Sequence, residues 1–224
     1  MAHEPLRPIT ASQVLAKTET ARRYHSAIWL ADGFLERRGL TADAASTALL
    51  GVVADPEPGH AWLEGWLSIP YLGYSLAGEE QCWSIRFRCP ERHDCSNFGH
   101  GKYFGEAGEP TRMFNVRAIQ DADDEIHVTE GELDAVTLNM LGLPAVAVPG
   151  ANNWKPHYSR LLAGFNKVFV WGDPDAKGAE FNSTVLRSVR TSAAVRLSGG
   201  DVNETYLSGG YAAIREAMEA VRWA

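Results

Sequence analysis

The sequence predicts an α/β protein: a mostly parallel sheet flanked by helices, preceded by a smaller helical plus antiparallel-strand subdomain of α+β character. Three observations carry this. Helical periodicity fills residues 11 to 50, aromatic and β-branched runs follow between 66 and 89, and from about 125 onward short apolar strands alternate with helices. The chain divides accordingly into an N-terminal tail or helix (1–20), a first subdomain (21–120) and the parallel-sheet domain (121–224).

Taken in order, "ARRYHSAIWLADGFLERRGL" sets Tyr24, Ile28 and Leu35 near one face of a helix that Gly39 can stop, and Thr41 can cap a shorter helix through "TADAASTALL". "DPEP" at 55–58 breaks helicity, after which "WLSIPYL" and "CWSIRFRC" read as antiparallel strands joined through "GYSLAGEE". Residues 89–110, rich in Gly, Pro, Asn and Asp, read as a long loop or insertion. The pattern then becomes strand "EIHVT", helix "ELDAVTLNMLG" ending at Gly142, strand "PAVAVPG", helix "KPHYSRLLAGF" and strand "KVFVWG". Helix "AKGAEFNSTVLRSV", strand "AAVRLS" and a closing helix "GGYAAIREAMEAV" complete it. Such βαβ units make neighbouring strands parallel, and their ligands bind beyond the carboxyl ends of the strands.

Composition narrows the function. With 45% hydrophobic and 22% charged residues the chain reads as an ordinary soluble globular protein, and "MAHEPLRPIT" lacks the apolar core of a secretion signal. No apolar run is long enough to span a bilayer, so the expectation is a cytosolic protein with no membrane partner. A net charge of −7 argues against coating nucleic acid by bulk positive potential. The charge is unevenly spread: residues 120–134 hold seven carboxylates and no base, whereas 86–117 carry Arg86, Arg88, Arg92, Lys102, Arg112 and Arg117 against four acids.

The acids fall at strand ends. Glu130 follows "IHVT", with Asp134 one helical turn on; Asp173 and Asp175 follow "VFVWG"; Asp201 and Glu204 follow "VRLSGG". Neighbouring carboxylates raise one another's pKa and cost stability unless a cation neutralises them, and hard oxygen donors suit Mg²⁺ or Mn²⁺. A lone Asp-Pro-Asp before a helix reads first as a cap; acids at three strand ends together read as a metal site.

These segments carry a family resemblance. "VTEGELDAVTL", "VFVWGDPDAKG" and "LSGGDVNETYLSGG", in this order, resemble the Toprim domain of DnaG-type bacterial and phage primases, with its EGxxD motif, its DxD followed by glycine and its late acidic turn. Upstream, "FLERRGLTADAASTAL", "WLSIPYL", "SIRFR", "GKYF" and "EPTRMFN" resemble the helical entry, strands and basic ridge of the primase catalytic core, so the resemblance covers about residues 22 to 222. It implies a Toprim-type sheet and a DNA-directed RNA polymerase that makes short RNA primers from NTPs on a single-stranded DNA template, in the cytoplasm of a bacterium or phage-infected host. It assigns catalysis and metal binding to Glu130, Asp173 and Asp175, with Asp134 and Asp201 as supporting ligands of Mg²⁺ or Mn²⁺. Arg86, Arg88, Lys102 and Tyr103 would hold triphosphate or template phosphates; for Arg86, alternating with Ile85 and Phe87, a solvated strand face is an equal reading. Two positions depart from the family: Asn203 stands where a second aspartate is common, and Pro174 where glycine is common between the two aspartates.

"RCPERHDCSNFGHGKYF" places Cys89, His93, Cys95 and His100 in a C-x3-H-x-C-x4-H pattern. Thiolates and imidazoles at such spacing can bind one Zn²⁺ and staple a loop with little core; the alternative is reduced cysteines and surface histidines that share a loop by chance. Cys82, beside Trp83, reads as core. The family usually also carries an N-terminal zinc module and a C-terminal helicase-binding module, for which 224 residues leave little room. The expectation is a stand-alone core, with the Cys/His loop, a separate template-recognition protein or a replicative helicase supplying what those modules do.

Other functions remain in view. A Toprim nuclease or topoisomerase uses the same acids for cleavage, but the basic stretches upstream favour the primase, and a topoisomerase needs a tyrosine-bearing domain with little room here. A catalytically weak replisome or DNA-binding module is motivated by Asn203 and the missing modules. Dinucleotide binding is disfavoured because no G-x-G-x-x-G follows the first strand of the α/β region.

Overall fold

The computed structural model describes residues 9–222, which fall into two compact units: 9–32 with 46–112, and 33–45 with 113–222. The first eight residues of the expected N-terminal tail, and residues 223–224, lie outside the described residues. Among the described residues no helix is long and apolar enough to cross a membrane.

In the first unit, helix α1 (Ala11–His25) starts at a capping box in which Thr10 and Gln13 exchange side-chain and backbone hydrogen bonds. The single helix expected over 21–39 does not continue past α1. It gives way to a 3₁₀ turn (Ile28–Ala31) and a short helix α2 (Asp32–Arg37), followed by α3 (Ala42–Thr47). Strand β1 (Gly51–Val52) passes so near the end of α1 that any Cβ on Gly51 would overlap the backbone of Tyr24 and His25. His25 Nδ1 donates to the Leu50 carbonyl at 2.6 Å and fastens the junction.

An antiparallel sheet of order β1-β2-β3-β4 completes this unit, with β2 (Leu67–Tyr74), β3 (Glu80–Arg88) and β4 (Tyr103–Gly105). The two expected strands and their connection are present; within the region read as loop, β4 forms because Tyr103–Gly105 pair with Arg86–Arg88. Helix α1 packs on this sheet, with Thr18 Oγ accepting from Cys82 N–H at 2.9 Å and donating to Val14 O. The core gathers Tyr24, Leu63, Trp66, Leu72, Ile85 and Phe87.

The second unit is built on a parallel sheet of order β6-β5-β7-β8: β5 (Glu125–Thr129), β6 (Ala145–Ala147), β7 (Lys167–Trp171) and β8 (Ser192–Ala194). The central strands "EIHVT" and "KVFVW" are buried on both faces, so the second reads as a nearly unbroken apolar run and the first buries His127 and Thr129 beside Ile126 and Val128. Even the polar exceptions are satisfied: the Trp171 indole donates to His127 Nδ1 at 3.0 Å, and His127 stacks on Phe169. The crossovers are α5 (Glu132–Met140), α6 (Tyr158–Leu162) and α7 (Ala176–Ser188), preceded by a short α4 (Ala118–Asp121) and closed by α8 (Val202–Arg222). Gly142, with φ 76°, ends the α5 segment in the left-handed conformation glycine tolerates. Outside β6, Phe114 adds an antiparallel bridge to Ala147.

Helix α8 begins earlier than the sequence suggested. It starts at Val202, not near Gly209, because Asp201 and Glu204 form a capping box: Glu204 N–H donates to Asp201 Oδ1 at 2.8 Å and Asp201 N–H to Glu204 Oε2 at 3.3 Å. The two glycines taken as its start lie at a kink, where Gly210 has φ 64°.

Candidate functional site

Register explains how acids far apart in sequence become neighbours. Thr129 pairs with Trp171 at the carboxyl ends of β5 and β7, so Glu130 and the Gly172-Asp173 segment leave adjacent strands side by side. Asp134 lies one turn into α5 and is buried. Burial, then the carboxylates of Asp201 and Asp173, push Asp134 well above the usual carboxylate range, against the pull of the Asn203 N–H and Arg38. Asp134, Asp173 and Asp201 thus share one electrostatic neighbourhood.

The loop after β7 is tightly specified. Asp175 N–H donates to Asp173 O at 2.8 Å, an i to i+2 bond that makes Pro174 the centre of an inverse γ-turn, for which its fixed φ is well suited. Asp175 caps α7, accepting from Gly178 N–H at 2.8 Å, so this acid has the capping role as well as its place beside Asp173. Gly178 is buried, and a methyl there would overlap the Asp173 backbone. Asn182, one turn on, accepts from Gly172 N–H at 2.9 Å. The glycine of the motif therefore exists to let α7 approach the strand end closely. At Gly131 a Cβ would instead meet the Asp134 carboxylate, 2.5 Å from Oδ2.

Asn203 is buried and fully engaged. Its amide nitrogen donates to Arg38 O at 2.8 Å and Thr137 Oγ at 3.1 Å, its Oδ1 accepts from Arg38, and its backbone N–H donates to Asp134 Oδ1 at 3.1 Å. An aspartate could supply neither side-chain donor. Sequence reasoning included Gly178 in the motif without giving it a role, and missed Arg38 and Asn182 as members of this site. Of the two, only the asparagine, spaced after the aspartates, offered a signal. Glu132, also within the motif, is 2% exposed despite its charge.

In the first unit the basic ridge centres on Tyr103. Arg88 lies opposite it in the β3–β4 ladder, is buried, and donates to the Tyr103 hydroxyl at 2.7 Å. The Arg86 guanidinium lies 5.0 Å from the same ring's centroid, whereas Lys102 is exposed.

The same unit brings Cys89, His93, Cys95 and His100 together: one ligand atom from each lies within 4.8 Å of all the others. The chain achieves this by turning. Asp94 caps a 3₁₀ turn (Cys95–Phe98), accepting from Ser96 N–H at 3.0 Å, and Gly99, with φ 73°, reverses it so that His100 N–H donates to Cys95 O at 3.2 Å. At the base of the loop Cys89 N–H donates to Lys102 O at 3.0 Å. Burial and the nearby Cys95 thiol push the Cys89 thiol up. Cys82, apart from this group, is fully buried, and its thiol is pushed up to about 12 by burial.

No protein-family model matches the chain. It is 35% identical over 155 residues to the Gene 57 protein of Mycobacterium phage D29, covering 69% of this chain and 98% of that protein. Among solved structures it is similar to the RNA polymerase domain of Mycobacterium tuberculosis primase DnaG, with a TM-score of 0.69 at 19% identity, over 93% of this chain and 83% of that one. It is likewise similar to the DnaG primase catalytic domain bound to single-stranded DNA, with a TM-score of 0.69 at 16% identity, over 92% of this chain and 78% of that one. The chain belongs to the family of the mycobacteriophage D29 Gene 57 protein, and its fold is that of DnaG-type primase catalytic cores with their Toprim sheet.

Proposed function

We propose that the protein is a DNA primase, a metal-dependent nucleotidyltransferase that joins NTPs into short RNA primers on single-stranded DNA in the cytoplasm. The observation that carries this reading is the convergence of Asp134, Asp173 and Asp201 beside the end of β5, where burial and then repulsion by the other two carboxylates drive Asp134 upward, in a chain with the primase-core fold. The donor set fits Mg²⁺ or Mn²⁺: it is all carboxylate, hard and anionic, with Glu130 and Asp175 on the same strand ends. Glu130, Asp134, Asp173, Asp175 and Asp201 would hold such an ion, which when bound neutralises charge on the attacking and leaving oxygens of phosphoryl transfer.

The chain's own residues supply the remainder. Glu130 accepts the proton of the attacking primer 3′-hydroxyl or ligates the metal; the 3′-oxygen bonds to the α-phosphorus as pyrophosphate leaves. Lys102 and Arg86 offset phosphate charge, while Arg88 orients Tyr103 through its hydroxyl. Asp175 and Asp201, each accepting a helix N-terminal N–H, are fixed by those bonds. Partners follow from the reaction: a DNA template, NTPs and a replicative helicase or template-recognition protein.

The test is incubation with single-stranded DNA, labelled NTPs and Mg²⁺ or Mn²⁺, beside Asp173→Ala and Glu130→Ala. Short RNA made by the wild type and lost in both variants is expected. Cleavage of the DNA without NTP incorporation would overturn the reading in favour of a nuclease, and DNA binding with neither product in favour of a non-catalytic module.

A further inference from the structure

We propose that Cys89, His93, Cys95 and His100 bind one structural Zn²⁺ that clamps the β3–β4 connection, a site separate from the carboxylate centre and independent of the polymerase reading. For Zn–S near 2.3 Å and Zn–N near 2.0–2.1 Å, tetrahedral geometry sets ligand atoms about 3.3 to 3.8 Å apart. Cys89 Sγ and His93 Nε2 are already 3.6 Å apart, and the whole set lies within 4.8 Å. An ion at the centroid needs only a small contraction of the loop.

Protonation is also arranged for it. His100 Nδ1 lies 3.0 Å from the Gly101 carbonyl, which can only accept, so the proton sits on Nδ1 and Nε2 keeps its lone pair. A ligand histidine held by a backbone carbonyl through its other nitrogen is a common outer-shell pattern of zinc sites. Phe98 stacks on His93 with ring centroids 4.3 Å apart, and Trp66 meets His100 edge-on at 5.1 Å, so aromatic walls flank the ligands. Four protein ligands fill a tetrahedral shell and leave no position for water or substrate, which makes the site structural.

The loop also needs such a clamp. None of the residues in its 3₁₀ turn is buried, so apolar packing does little to hold it. Cys89 follows Arg88 and His100 precedes Lys102 by two, so the ion fixes both strand ends that carry the basic ridge. Binding releases the thiol protons as the two thiolates form, and no redox partner is required.

The test uses the full chain, purified without a histidine tag and with reductant. Elemental analysis is expected to give about one zinc per chain. Cobalt(II) substitution should give the visible absorption of a tetrahedral thiolate site. Cys95→Ser and His100→Ala should lose at least tenfold in zinc affinity, while Cys82→Ser keeps the metal. Zinc extraction from the wild type should expose residues 89–102 to protease and change tryptophan emission, both reversed by zinc alone. Zinc near zero after reconstitution, equal zinc in Cys95→Ser, or a Cys89–Cys95 disulfide replacing the metal would each sink the proposal, whether or not primers are made.

Discussion

The two clusters of candidate ligands in this molecule are built in opposite ways. The acids come from residues 130 to 201 and meet because parallel strands end in register; the soft ligands come from residues 89 to 100 and meet because one loop turns on itself. The acids also have local partners: Asp134, Asp175 and Asp201 each accept a backbone N–H at or near a helix N-terminus. Of the soft ligands only Cys89 is buried in the first unit's core, with Cys95 packed partly against it. Carboxylates held by a sheet and by helix N-termini can wait for their cation in a folded state, whereas a loop with little core depends on its ion for shape.

The largest expected effect separates chemistry from folding. Asp173→Ala should lower primer synthesis by about 10³-fold, the scale for losing a group that organises transition-state charge. Its urea midpoint should stay close to wild type, because the sheet and α7 hold the site open without it. A variant that unfolds with its activity loss would show that Asp173 is structural and erase the contrast.

Gly178→Ala tests the scaffold from the other side. Its methyl must displace α7 from the Asp173 backbone, an overpacking that should cost about 3 kcal/mol, read by urea unfolding. Activity should fall as well, although no acid has been altered. Unchanged stability would mean that the close approach of helix and strand end is not required.

Asp134→Asn should act oppositely on the two properties. The amide oxygen can still accept from Asn203 N–H, but the charge that burial disfavours and that Asp201 and Asp173 repel is gone. We expect the metal-free variant to be more stable than wild type by about 1 kcal/mol near neutral pH, with activity reduced. The sign follows from linkage: a folded pKa raised above the unfolded value of about 3.9 gives Asp134 a contribution present below that value and lost as pH rises through the folded pKa. The gap between variant and wild type should therefore widen with rising pH and shrink on adding Mg²⁺. A variant less stable than wild type at every pH would remove the buried, repelled charge as the cause.

Much of this was legible in the sequence, for identifiable reasons. Apolar runs alternating with helical periods specify a parallel sheet, and the acids Glu130 and Asp173 stand at the carboxyl ends of two of its strands, although the order in which those strands adjoin is not in the pattern. Arg38 was not legible: it comes from a helical stretch nearly 100 residues before Asp134, and no periodicity signals that its carbonyl will meet Asn203. The Cys/His cluster was half legible. On an extended strand His93 and Cys95 point oppositely, and only the 3₁₀ turn capped by Asp94 brings them to one side. The expected long helix over 21–39 is broken after His25, where β1 lies close against the end of α1, a tertiary contact that the local period does not report.

The smallest effect concerns Pro174, the residue that departs from the family pattern. Its ring presets the φ of the inverse γ-turn that carries Asp175 N–H to Asp173 O, and it has no N–H of its own to satisfy. Pro174→Gly restores the usual residue but frees the unfolded chain, so it should cost about 0.5–1 kcal/mol in urea unfolding. The capping bond from Gly178 N–H to Asp175 should survive, leaving primer synthesis within about twofold of wild type, well below the roughly 1.4 kcal/mol that a tenfold change represents. If the glycine variant instead loses activity on the scale of Asp173→Ala with its stability intact, the turn is catalytic geometry that proline supplies, and the division between a tolerant acid scaffold and a metal-dependent loop fails at this position.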